Sequence, residues 1–98
     1  MNDKTLEKLA DIIKERKNEL PKNSYVASLF KKGNIKIANK LGEEAIETIS
    51  AFLAQDKSDL LEESADLIFH LLILLEDAGL SLKDVLTVLE KRMKNDWY

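Results

Sequence analysis

This sequence predicts an all-α fold, a four-helix-bundle-like arrangement of mostly antiparallel helices. Three observations carry the prediction. Helix breakers are scarce, with one proline and three glycines in 98 residues. Runs of β-branched residues are absent, so no segment reads as a strand. Apolar residues recur at helical spacing in long segments separated by short connections, the pattern of helices that pack against their sequence neighbours.

The first helix is expected from about Thr5 to Leu20, where Leu6, Leu9, Ile12, Ile13 and Leu20 share a face. Pro21 stops it, because proline lacks an amide proton and clashes with the preceding turn. The stretch PKNSYVASLFKKGN makes a short helix or an ordered loop between Asn23 and Gly33. A second long helix covers about Asn34 to Ala54. A third runs from about Ser58 to Ala78, opened by an Asp/Ser cluster and closed by Gly79. A fourth has Ser81 as N-cap with Asp84 three residues on, and reaches about Lys94. No repeat, low-complexity tract or linker interrupts the chain, so residues 1–98 read as one domain. The apolar stripes are wider than a coiled-coil seam.

Composition narrows the function. The net charge is −3 with acids and bases interleaved, so no basic field points to nucleic acid. The absence of cysteine excludes disulfides and thiolate metal sites. The start, MNDKTLEKLADII, is charged and does not resemble a secretory signal. The longest apolar stretch, LIFHLLILL at 67–75, is too short to span a bilayer. The expectation is a cytoplasmic protein with no membrane partner.

The carboxylates are more informative. At 100° per residue, Glu43, Glu47 and Glu44 fall at about 0°, 40° and 100° on the second long helix, with Lys36 and Lys40 on the same patch. Ile37, Ala38, Leu41, Ala45, Ile46, Ile49, Phe52 and Leu53 fill the opposite arc, expected to pack. A solvated face laced with Lys–Glu pairs explains that helix alone. The third long helix is harder to explain so. It is apolar nearly all round, yet Glu63, Asp66 and His70 align in one stripe. A carboxylate on a buried helix must be paired, hydrogen-bonded or metal-bound. For Asp66 the bland alternative is a salt bridge to a lysine of the preceding helix, and for His70 a satisfied core histidine.

Two neighbouring antiparallel helices thus each offer an acid pair one turn apart, Glu44/Glu47 and Glu63/Asp66. Four facing carboxylates repel unless a cation joins them. With no thiolate and one histidine, Mg2+ (or Mn2+) fits better than zinc, and a di-iron site fits poorly. Lys36 and Lys40, with Lys31 and Lys32 nearby, would meet the outer oxygens of a phosphate-bearing substrate. The apolar third helix, too large a patch for a 98-residue monomer to cover, predicts a homodimer.

EEAIE (43–47), fifteen residues, then ESAD (63–66) resembles the acid signature of the MazG-like all-α nucleoside-triphosphate pyrophosphohydrolases. The wider stretches SYVASLFKKG (24–33), KIANKLGEEAIET (36–48), EESADLIFHLLILL (62–75) and GLSLKDVLTVLEKR (79–92) are similar to the phosphoribosyl-ATP pyrophosphohydrolase family within it. Phe69 and Val26 stand where that family often has Tyr and Thr, and the tail KNDWY has no counterpart. The resemblance implies a MazG-type fold packed as a homodimer. It implies Mg2+-dependent hydrolysis of 1-(5-phosphoribosyl)-ATP to 1-(5-phosphoribosyl)-AMP and pyrophosphate in histidine biosynthesis. It assigns metal ligation to Glu44, Glu47, Glu63 and Asp66. Glu43 would be a fifth acid orienting a water or second ion, so Glu43 and Glu47 are the expected catalytic acids. Tyr25 and His70 become expected substrate contacts beside Lys32, Lys36 and Lys40. A house-cleaning pyrophosphohydrolase would use the same acids, and a non-enzymatic helical dimerisation module is the rival from another class.

Overall fold

The computed structural model describes residues 4–98, which form five α-helices and no strand. They are α1 (Thr5–Glu19), α2 (Tyr25–Lys32), α3 (Asn34–Leu53), α4 (Lys57–Asp77) and α5 (Leu82–Lys94). The four long helices lie within a residue or two of the predicted bounds, and the undecided stretch is helical as α2.

The ends follow from local chemistry. Leu20 adopts the left-handed region (φ 49°, ψ 53°) and its N–H donates to the Arg16 carbonyl at 2.9 Å. Pro21 stops the helix here, because the residue before a proline is disfavoured in the right-handed helical region. Ser24 caps α2 by accepting the Ala27 N–H at 3.1 Å. Gly33 closes α2 and opens α3 at φ 96°, a backbone angle that glycine reaches without Cβ strain. Asp56 caps α4, and Ser81 and Asp84 form the reciprocal capping box of α5.

The core sits at the C-terminal half of α4. Leu72, Ile73 and Leu75 bury against Ile13 of α1, Val26 and Leu29 of α2 and Ile37 of α3. Phe30, Phe69, Leu82 and Val85 pack round that cluster. A three-residue turn, 54–56, joins α3 to α4, so the two run antiparallel as an αα-hairpin, the most extensive helix pairing in the fold.

The wheel reading of α3 needs correcting. Ile37 and Ala51 are buried, but Ile46, Ile49, Phe52 and Leu53 of the expected packing arc are exposed, and Glu44 is buried instead. The reason is that α2 and α4 cover only one side of α3. Which part of a broad apolar arc is covered depends on where the neighbours lie. On α4, Leu61, Ile68 and Leu71 are likewise exposed. The radius of gyration is 14.9 Å, above the roughly 13 Å of a compact 100-residue domain, consistent with a hairpin that projects beyond the core.

Candidate active site

The hairpin brings the acid pairs together. Glu44 on α3 and Glu63 and Asp66 on α4 each place one carboxylate oxygen within 4.8 Å of the other two. Glu44 is only 6% exposed, on a helix where Ile46 is 66% exposed. Glu47, one turn beyond Glu44, lies close enough to perturb both Glu44 and Glu63. Glu43 stands at the rim, bound to Lys40 at 3.1 Å. Lys40 also reaches Glu44 Oε1 at 3.6 Å.

The electrostatics are those of crowded carboxylates. Hydrogen bonding to the Glu47 carboxyl, reinforced by burial and by the Glu47, Asp59 and Glu44 charges, pushes Glu63 up to about 7. Burial first, and then the Glu47 carboxyl, raises Glu44. The hydrogen bond to Glu43 raises Lys40. Burial raises Tyr25. Two buried oxygens, Glu44 Oε2 and Glu63 Oε2, have no hydrogen-bond partner among the described residues. Buried, unpaired carboxylate oxygens are costly, and a hard cation is the partner an all-oxygen donor set suits. The residues present therefore fit a divalent metal. Among the described residues Asp66 makes no ion pair, so the salt-bridge explanation for it finds no cation.

A second layer holds the backbone behind these acids. His70 is buried, and its Nδ1 donates to the Asp66 carbonyl at 2.7 Å. In the neutral ring Nε2 then accepts from the Tyr25 hydroxyl at 2.8 Å. Both ring nitrogens are thus satisfied within the protein, and Phe69 packs edge-on against the ring, centroids 5.0 Å apart. Tyr25 remains half exposed beside the cluster. Thr48, which sequence reasoning passed over, sits between α3 and α4: its hydroxyl lies 2.7 Å from the Glu44 carbonyl and 3.1 Å from that of Glu63. The available signal was a hydroxyl on the seam one turn after Glu44. Lys36 and Lys32 are exposed near the junction of α2 and α3, with no ion pair among the described residues. Lys36 stands two turns before Glu43, about 10 Å along the helix.

A family model described as phosphoribosyl-ATP pyrophosphohydrolase matches residues 6–93. The chain is 50% identical over 92 residues to the phosphoribosyl-ATP pyrophosphatase of Zymomonas mobilis, covering 94% of this chain and 86% of that one. It is 48% identical over 89 residues to the protein of that name from Metallosphaera sedula, covering 91% and 96%. It is 47% identical over 83 residues to the histidine biosynthesis bifunctional protein HisIE of Thermotoga maritima, covering 85% of this chain but 42% of that one. The chain therefore spans most of the single-function relatives and about two-fifths of the bifunctional one. With a match across nearly its whole length and the acids of two helices converging on one point, this chain belongs to the phosphoribosyl-ATP pyrophosphohydrolase family.

Proposed function

We propose that this protein hydrolyses the phosphoanhydride of 1-(5-phosphoribosyl)-ATP, releasing pyrophosphate and 1-(5-phosphoribosyl)-AMP, in the cytoplasm as a step of histidine biosynthesis. The observation that carries the reading is the convergence of Glu44, Glu63 and Asp66 within 4.8 Å, with two buried oxygens unpartnered among the described residues. The names of the relatives supply the substrate.

Glu44, Glu63 and Asp66, with Glu47 beside them, would hold Mg2+, or Mn2+ in its place. Such an ion offsets the charge of the leaving pyrophosphate and acidifies a water. The chain supplies the rest. Glu47 and Glu43 stand at the exposed edge of the cluster, where a carboxylate can orient the attacking water and accept its proton. Before an ion binds, the hydrogen bond to Glu47 pushes Glu63 up to about 7. Lys40 already bridges Glu43 and Glu44, so its ammonium stands where a phosphate oxygen would approach. Lys36 and Lys32 extend positive charge towards the α2–α3 junction, and Tyr25 lies beside the acid cluster to bound the substrate. No serine or cysteine nucleophile is needed.

The exposed apolar face of Ile46, Ile49, Phe52 and Leu53 supports a homodimer. The deciding assay for the function is pyrophosphate release from phosphoribosyl-ATP, with and without Mg2+, beside a panel of ordinary nucleoside triphosphates. Mg2+-dependent release selective for phosphoribosyl-ATP is expected. Equal or faster release from ordinary triphosphates would shift the reading to a house-cleaning enzyme. No release from any of them would leave a helical interaction module.

A further inference from the structure

We infer that Thr48 is a positioning residue that sets the register of α3 on α4, and so fixes the gap between Glu44 and the Glu63/Asp66 pair. Its hydroxyl makes a hydrogen bond that crosses from α3 to α4 and ends on backbone, not on a side chain free to swing. Both oxygens it reaches belong to cluster residues: the Glu44 carbonyl at 2.7 Å on its own helix, and the Glu63 carbonyl at 3.1 Å on the other. The hydroxyl has one proton, so the two carbonyls share it. Moving α4 along α3 lengthens one arm of that shared bond.

The need for such a tie follows from where the apolar packing lies. The large buried side chains, Leu72, Ile73 and Ile37, sit at the far end of the hairpin. At the level of the cluster Ile46 and Ile49 are exposed, and the buried apolar residues of α3, Ile37 and the small Ala51, each lie seven residues from Glu44. Apolar contact is non-directional, and small side chains offer little to stop one helix sliding on another. Magnesium, in contrast, demands near-ideal octahedral geometry with oxygens at about 2.0–2.1 Å, so a shift of about an ångström spoils the site. A directional bond one turn from Glu44 meets that demand where packing cannot.

The inference rests on the cluster being a Mg2+ site, and the test separates the two. Each variant is titrated with Mg2+ alone by calorimetry, with no substrate, and its melting temperature is measured without metal. Thr48→Val keeps shape and helix propensity but removes the proton. In an α-helix both carbonyls retain the N–H four residues on, so neither is orphaned and the melting temperature should hold within a few degrees. Mg2+ affinity should fall about 10- to 100-fold, as for other residues that orient metal ligands, while Thr48→Ser keeps it within about threefold. If Thr48→Val does not fold, the contrast of Thr48→Ala with Thr48→Ser gives the same comparison. Wild-type affinity in a hydroxyl-free variant overturns the inference and leaves the metal site standing. Equal losses in the serine and valine variants overturn it too, since the methyl would then be what matters. A wild-type chain that takes up no Mg2+ overturns the site and the inference together.

Discussion

Asp66→Asn should make the metal-free protein more stable and disable it. The change keeps volume and backbone, so the Asp66 carbonyl still accepts the His70 Nδ1–H. It removes one negative charge held within 4.8 Å of two others. Two carboxylates about 5 Å apart repel by about 3.5 kcal/mol at an effective dielectric of ~20 and by about 1 kcal/mol in water. Asp66 is exposed, so the aqueous end applies, and two such pairs give about 1–2 kcal/mol. For a domain of this size that raises the melting temperature by at least about 4 °C, at pH 8 and low salt. The gain should shrink as salt screens the repulsion. With Mg2+ the ranking reverses, since the wild type gains about 2.7 kcal/mol when the ion is at a hundred times its dissociation constant and the variant loses that binding. Differential scanning fluorimetry with and without Mg2+, with pyrophosphate release on the same samples, reads both effects. The reasoning fails if Asp66→Asn lowers apo stability by roughly 3–5 kcal/mol with activity per folded molecule intact, because that is the signature of a broken buried ion pair.

Lys40→Ala should do the opposite to the apo protein: it strips the buried Glu44 of its cation, costs about 1–3 kcal/mol in thermal melts, and slows turnover. Unchanged kcat and KM in that variant would reduce Lys40 to a partner of Glu43 and Glu44. The Glu63 carboxyl gives a pH test. Its pKa of about 7 in the folded apo protein exceeds the ordinary 4.5, so the folded state keeps a proton the unfolded chain has lost. That stabilisation is full below about 4.5 and gone once pH has risen through 7, so the apo melting temperature should fall between pH 5 and pH 8. Mg2+ competes with the same proton, so its affinity rises over that window; calorimetry at pH 7 in two buffers should show proton release that Glu63→Gln abolishes. Sedimentation equilibrium should show a dimer at micromolar concentration, and Leu53→Asp, on the exposed face, should yield a folded monomer; a monomeric wild type would refute the pairing.

Local chemistry carried much of this protein into its sequence. Pro21, Gly33 and the Ser81/Asp84 box mark helix ends because each acts within one turn of itself. The convergence of Glu44 with Glu63 and Asp66 was also legible, because a three-residue turn forces α3 and α4 to run antiparallel and one-turn spacing puts each acid pair on a single face. Tertiary structure alone decided which apolar residues are covered. The wheel placed Ile46, Ile49, Phe52 and Leu53 in one arc with Ile37, but coverage depends on the azimuth at which α2 and α4 meet α3, and helical periodicity carries no information about a neighbour's position. The sequence allowed for a satisfied core histidine at position 70, but the partners of His70 and Thr48 were hidden for a related reason. A hydroxyl or an imidazole declares its chemistry in the sequence, but its partners here are the backbone carbonyls of Glu44, Glu63 and Asp66 and the hydroxyl of Tyr25, forty-five residues away. Every residue has a carbonyl, so only the packing of one helix on another selects which ones a side chain will hold.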